Sequence, residues 1–140
     1  MRRRQLAEVS AERPRVLDLK LGPGGLTDIE FAVACRQRAE GPDTEHPDPV
    51  AAMDLLDDLE GGEGGTLAEH YRFMRRVESA LRLRTGSGAA HLHLDRPDAG
   101  RLACALGFEG VDVLEAEVRS RRGQVQAIAQ RWLKAAGREW

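Results

Sequence analysis

Seven positions near the C-terminus constrain the fold more than any others. Val111, Leu114, Val118, Arg121, Val125, Ile128 and Trp132 recur at alternating steps of three and four. Only an α-helix gathers that spacing into one stripe, and a stripe so long needs other elements to bury it. Arg121 stands inside the stripe. A desolvated guanidinium requires a partner, so Arg121 either pairs with an acid of a neighbouring helix or snorkels to water.

The same periodicity recurs upstream. Leu67, Tyr71, Met74, Val77 and Leu81 form a second stripe, with Glu69, Arg72, Arg75, Arg76 and Arg82 opposite. Val50, Met53, Leu56 and Leu59 predict a helix from Pro49 to Leu59, with proline in its tolerant first turn. The glycine-rich run 61–65 is read as its stop. A short helix is expected over Pro97–Leu106, closed by Gly107. Ile29 and Val33, with small alanines beside them, supply the face of a helix ending near Ala39. Short polar connections between such segments imply antiparallel neighbours. The expected fold is an all-α antiparallel helical bundle of about five helices with essentially no sheet.

The remaining segments are polar or broken. Residues 1–15 read as a lead-in, with a short helix over Arg4–Glu12 interrupted at Pro14. Val16–Leu19 is a candidate extended segment, and residues 41–49 and 89–96 are irregular connections. The bundle domain is placed at 16–136, with 137–140 as a tail. Aromatic residues make up 4%, too few for a typical sandwich or barrel. A formal net charge of −2 argues against a general nucleic-acid binder. No apolar run reaches the roughly 18 residues of a membrane span. Cys35 and Cys104 lie far apart and form no CxxC, which fits a reduced, cytoplasmic protein; both are expected as small core residues.

The sharpest local feature is Gly22-Pro23-Gly24-Gly25, followed by Thr27-Asp28-Ile29-Glu30. The glycines cannot continue a helix. Thr27 and Glu30 have capping-box spacing, which predicts a helix start at Thr27. Two roles are open to this loop. Lys20 and the amides around Gly22, Gly24 and Gly25 can approach a phosphate beside a helix N-terminus. Alternatively, the glycines merely turn the chain into a capped helix. No Gly-Lys-Ser/Thr closes a P-loop.

Asp28 and Glu30 can be read as a metal-binding acid pair. On a helix, however, they point about 200° apart, whereas a cap role for Glu30 and a dipole role for Asp28 need no ion. Arg72, Arg75 and Arg76 form either an anion-binding or partner face or a solvated one. His91 and His93 flank Leu92 without a third ligand at metal-site spacing, so no metal site is assigned.

Three stretches together resemble the helical domain of the glutamine synthetase adenylyltransferase family, to which the PII uridylyltransferases are related. They are Asp18-Leu19-Lys20-Leu21-Gly22-Pro23-Gly24-Gly25-Leu26-Thr27-Asp28-Ile29-Glu30-Phe31, the arginine-rich stretch from Tyr71 to Leu81, and Leu94-Asp95-Arg96-Pro97 with the stretch from Arg101 to Phe108. The resemblance spans roughly residues 16 to 135. It implies a helical domain that follows a nucleotidyltransferase domain in an enzyme attaching AMP to glutamine synthetase, or removing it, with ATP and magnesium. The first stretch is more similar to the adenylylating half. The implied partners are a nucleotidyltransferase domain in cis or in trans, glutamine synthetase and the PII signal protein. The chain departs from the full enzyme in lacking the combination of a Gly-Ser turn with an Asp-x-Asp pair whose carboxylates hold the metal ions: Gly86-Ser87 is followed by no paired acids at a suitable distance. It therefore has no catalytic residues of its own in this reading, and no cofactor. The competing readings are a minimal nucleotidyltransferase built on Asp28 and Glu30, and a scaffold domain with no ligand.

Overall fold

A computed structural model describes residues 13–57, 63–86 and 90–137. In chain order the elements are β1 (Val16–Asp18), α1 (Leu26–Glu40), a 3-10 turn (Pro42–Thr44), α2 (Pro49–Asp57), α3 (Glu63–Thr85), β2 (His91–His93), α4 (Ala99–Ala105) and α5 (Val111–Ala135). The architecture is all-α, with five helices and one two-stranded ribbon among the described residues. The helix expected over Arg4–Glu12 lies outside them, as do residues 138–140.

The longest stripe is buried as its spacing demands. Leu114, Val118, Val125, Ile128 and Trp132 of α5 pack into one cluster with Ile29 and Val33 of α1 and with Leu67, Met74 and Val77 of α3. Met53 and Leu56 bring α2 into the same core. Phe73 and Phe108 meet edge to face, with ring centroids 6.2 Å apart, and so tie α3 to the turn after α4.

Three local expectations are corrected. The irregular segment 89–96 contains strand β2, which pairs antiparallel with β1 in the register Val16 to His93, Leu17 to Leu92 and Asp18 to His91. Leu17 and Leu92 are fully buried in the same apolar cluster, so the ribbon packs onto the helical core. The pairing joins segments far apart in sequence, and three residues per strand carry too little alternation to announce it. Second, α3 begins at Glu63, so Gly64 and Gly65 are helical rather than a stop. Each glycine costs only about 1 kcal/mol in a helix, which a well-buried 23-residue helix tolerates. Third, neither cysteine is a core residue: Cys35 is half-buried and Cys104 exposed, both free thiols.

The start of α1 also differs from expectation. The capping residue is Gly25, with extended backbone and no side-chain cap bond. Thr27 lies inside the first turn, and Glu30 reaches sideways to α3 instead of back. The Thr27 amide, which a capping box would give to Glu30, donates to the Lys20 carbonyl at 3.0 Å. No helix among the described residues is long and apolar enough to cross a membrane.

Candidate functional site

The glycine-rich loop is held from both sides. Asp18, at the end of β1, is buried, and its Oδ1 accepts the amides of Lys20 (3.0 Å) and Leu21 (2.8 Å). Such an Asx turn directs the chain away from the ribbon. The Gly22 amide then donates to the Asp18 carbonyl at 3.1 Å, and the Gly25 amide to the Gly22 carbonyl at 3.0 Å. Asp28, fully buried on α1, accepts the Gly24 amide through Oδ2 at 2.7 Å. On the other side, Arg122 of α5 donates through Nε to the Pro23 carbonyl at 2.5 Å.

The loop lies flat on α5. Gly24 has φ of +71°, and a Cβ there would stand 2.2 Å from the Arg122 carbonyl oxygen. At Gly25 a Cβ would meet the Leu19 carbonyl oxygen at 2.7 Å. Both glycines are therefore required by close backbone approach, independently of any ligand.

Arg122 takes the stripe position expected for Arg121. Between Val118 and Val125 either residue satisfies helical spacing; the bundle turns Arg122 inward, to 5% exposure. Arg121 sits at the rim instead. Its Nε binds Glu117 at 2.7 Å and its guanidinium lies 4.2 Å from the centroid of Phe73. The acidic partner foreseen for Arg121 is present, though on its own helix.

Asp28 and Glu30 diverge. Asp28 is enclosed with the loop, whereas Glu30 is exposed and accepts a bond from the Tyr71 hydroxyl at 3.5 Å. Tyr71 in turn accepts from Arg75 Nε at 3.2 Å, and Arg75 Nη1 donates to Glu78 at 2.9 Å. Glu78 is buried, and Arg82 adds a second contact at 3.3 Å. What looks in sequence like a solvated arginine face is thus partly a polar seam between α1 and α3. Arg76 donates to the carbonyl of Leu106, closing the end of α4. Arg72 and Lys20 point to solvent. Among the described residues no group of three or more His, Cys, Asp or Glu is arranged to hold a metal ion.

Sequence reasoning missed several buried polar residues, Asp18 and Arg122 of the loop among them. Arg36 pairs with Glu40 at 2.8 Å and lies over the Trp132 ring at 5.6 Å. Glu78 is masked by its arginine-rich surroundings. His70, a lone histidine, is 4% exposed, with Nδ1 3.4 Å from Arg121 Nη1. Burial, and then the Arg121 charge, lower the His70 pKa below the ordinary 6.5, outweighing the opposing pull of Glu69 and Glu117. The folded chain therefore binds fewer protons at this imidazole than the unfolded chain does. Stability should fall as pH drops through about 6.5, and the loss should level off once the folded imidazole itself protonates. Urea titrations at about pH 7.5 and about pH 5.5 test this. His70→Gln should flatten the difference, and an unchanged slope in that variant would assign the acid loss elsewhere.

The fold and loop define a class: a helical domain organised around a clamped glycine-rich turn. The chain belongs to the GlnD PII-uridylyltransferase family, whose family model matches residues 1–133. It is 34% identical, over 127 residues, to the bifunctional glutamine synthetase adenylyltransferase/adenylyl-removing enzyme of Xanthomonas campestris pv. campestris (strain B100), covering 86% of this chain and 13% of that enzyme. The enzyme of the same name from Corynebacterium glutamicum is 35% identical over 150 residues, covering 88% of this chain and 14% of its own length. The Corynebacterium diphtheriae enzyme is 42% identical over 89 residues, 59% of this chain and 8% of that one. The chain thus spans only about an eighth of the length of the curated relatives it matches. No solved structure matches it.

Proposed function

We propose that this chain is a helical domain that packs against a nucleotidyltransferase domain, in cis or in trans, and helps dock or regulate glutamine synthetase or the PII signal protein in the cytoplasm. The transfer chemistry, with ATP and magnesium, belongs to the accompanying domain. Lys20 is the group of the loop open to a phosphate there, with Arg72 a further cation on the solvent face of α3.

One observation carries the reading. The polar groups of the most specific motif serve the fold: Asp28 holds Gly24, Arg122 holds Pro23, and the amides of Gly22, Gly24 and Gly25 donate within the protein. Asp28 and Glu30 lack the shared face that a metal pair needs.

Incubation of the chain with labelled ATP, magnesium and glutamine synthetase, or with labelled UTP and PII protein, should transfer nothing. Transfer by the chain alone that disappears in Asp28→Asn would overturn the reading. Lys20→Ala should leave the melting temperature of the chain unchanged, since an exposed lysine stabilises little. It should reduce nucleotide transfer once the chain is joined to its nucleotidyltransferase domain.

A further inference from the structure

Two histidines and two arginines that the glycine-rich loop does not use converge on one pocket. His91 and His93 alternate along β2, so they share a face of the ribbon while Leu92 between them is buried. Their ring centroids lie 6.4 Å apart. Both line a pocket completed by Arg84 from the last turn of α3 and by Arg96 and Asp98 from the segment entering α4, over an apolar wall of Leu81 and Leu102. Its enclosed part is small, about 30 Å³. That space suits the oxygen-bearing end of a small ligand and not a nucleobase. The charge on the lining is unbalanced. Neither Arg84 nor Arg96 pairs with a carboxylate among the described residues, and Asp98 is the single acid on the wall. His91 sets Nε2 3.5 Å from Oδ2 of buried Asp18, whose other oxygen holds the loop amides. Burial, and then the Arg96 charge, hold the His93 pKa below its ordinary value; His91 and Arg13 act in the same direction and Asp95 opposes them. The potential at the pocket is therefore positive. No third ligand among the described residues joins the histidines in a metal site, and two guanidiniums would repel a cation.

We infer that this pocket between α3, the ribbon and α4 binds a small oxyanion of the phosphate class, with Arg84 and Arg96 as charged donors and the imidazoles of His91 and His93 as further donors. Guanidinium groups match the oxygens of a tetrahedral anion and bind them through charge-assisted hydrogen bonds. Half-enclosed walls with one sign of charge concentrate such an anion. A bound anion also favours the protonated imidazole, so occupancy draws protons onto His91 and His93. None of these side chains belongs to the glycine-rich loop, and the site does not depend on the function proposed above. Free phosphate and the terminal phosphoryl group of a nucleotide share this chemistry.

The four histidines of the 140-residue chain make the test internal. Their imidazole signals are titrated by NMR with inorganic phosphate, with ATP, and with sodium chloride at matched ionic strength, all without magnesium. Phosphate should raise the titration midpoints of His91 and His93 and leave that of exposed His46 in place, whereas chloride should move none of them selectively. A stronger response to ATP than to phosphate at equal concentration would assign the site to a nucleotide's terminal phosphoryl group; the reverse order would assign it to free phosphate. Replacing both arginines, Arg84→Gln with Arg96→Gln, should weaken phosphate binding at least about tenfold. No response at His91 and His93, an equal response to chloride, or an equal response at His46 would overturn the inference. So would a folded double variant that binds phosphate as well as the parent. If the double variant does not fold, the comparison among the histidines of the parent chain decides alone. Each of these outcomes leaves the function proposed above standing.

Discussion

Gly24→Ala is expected to destabilise the chain by about 3 kcal/mol or more, lowering the melting temperature by about 10 °C. Two independent effects add. An alanine at φ of +71° costs about 1–2 kcal/mol from backbone strain alone. The added Cβ would then stand 2.2 Å from the Arg122 carbonyl oxygen and 2.8 Å from that residue's Cα and carbonyl carbon. These are backbone atoms of the longest helix, so no side chain can swing away. Either the loop lifts off α5 or α5 shifts, and both disturb the packing around Val118 and Val125. Gly107→Ala is the control. Its φ is +89°, yet nothing lies within 4 Å of the new Cβ, so it should cost only about 1 kcal/mol. Thermal and urea unfolding of the two variants separate strain from contact. Equal losses would mean that the close approach to α5 contributes nothing.

Asp28→Ala should cost about 2–4 kcal/mol. The variant leaves the buried Gly24 amide without its acceptor and opens space where a carboxylate was enclosed. Asp28→Asn should cost less, because the amide oxygen can still accept from Gly24. Unfolding midpoints for both variants also discriminate between roles. If Asp28→Ala folds as stably as the parent, the residue is not structural, and its reading as a metal ligand regains force. Neither variant should change the fold of the ribbon, since β1 and β2 pair through backbone bonds outside the loop.

The spacing of apolar residues determined much of this protein. The stripes at Leu67–Leu81 and Val111–Trp132 are long enough that only a helix can gather them, and both are buried as that periodicity requires. The glycine-rich loop was legible as a turn for an equally local reason: glycine alone tolerates the backbone it needs. The sequence also carried the family, because the stretch around the loop combines residue types in an order that a generic helical domain has no cause to reproduce.

Tertiary structure decided the rest, wherever two local solutions were nearly equal in energy. Helical spacing allows Arg121 or Arg122 to face inward; the loop's Pro23 carbonyl, distant in sequence, gives Arg122 its partner. Thr27 and Glu30 have the spacing of a capping box, yet Glu30 is drawn to Tyr71 across the bundle and Asp28 binds the loop instead. The β1–β2 ribbon joins segments separated by more than seventy residues, so no window of neighbouring residues contains it. The burial of Glu78 and His70 likewise depends on what packs against α3 rather than on what flanks them in the chain. Local pattern sets which elements form; long-range contacts choose the partner of each polar group, because a buried donor or acceptor must be satisfied by whatever the fold brings within reach.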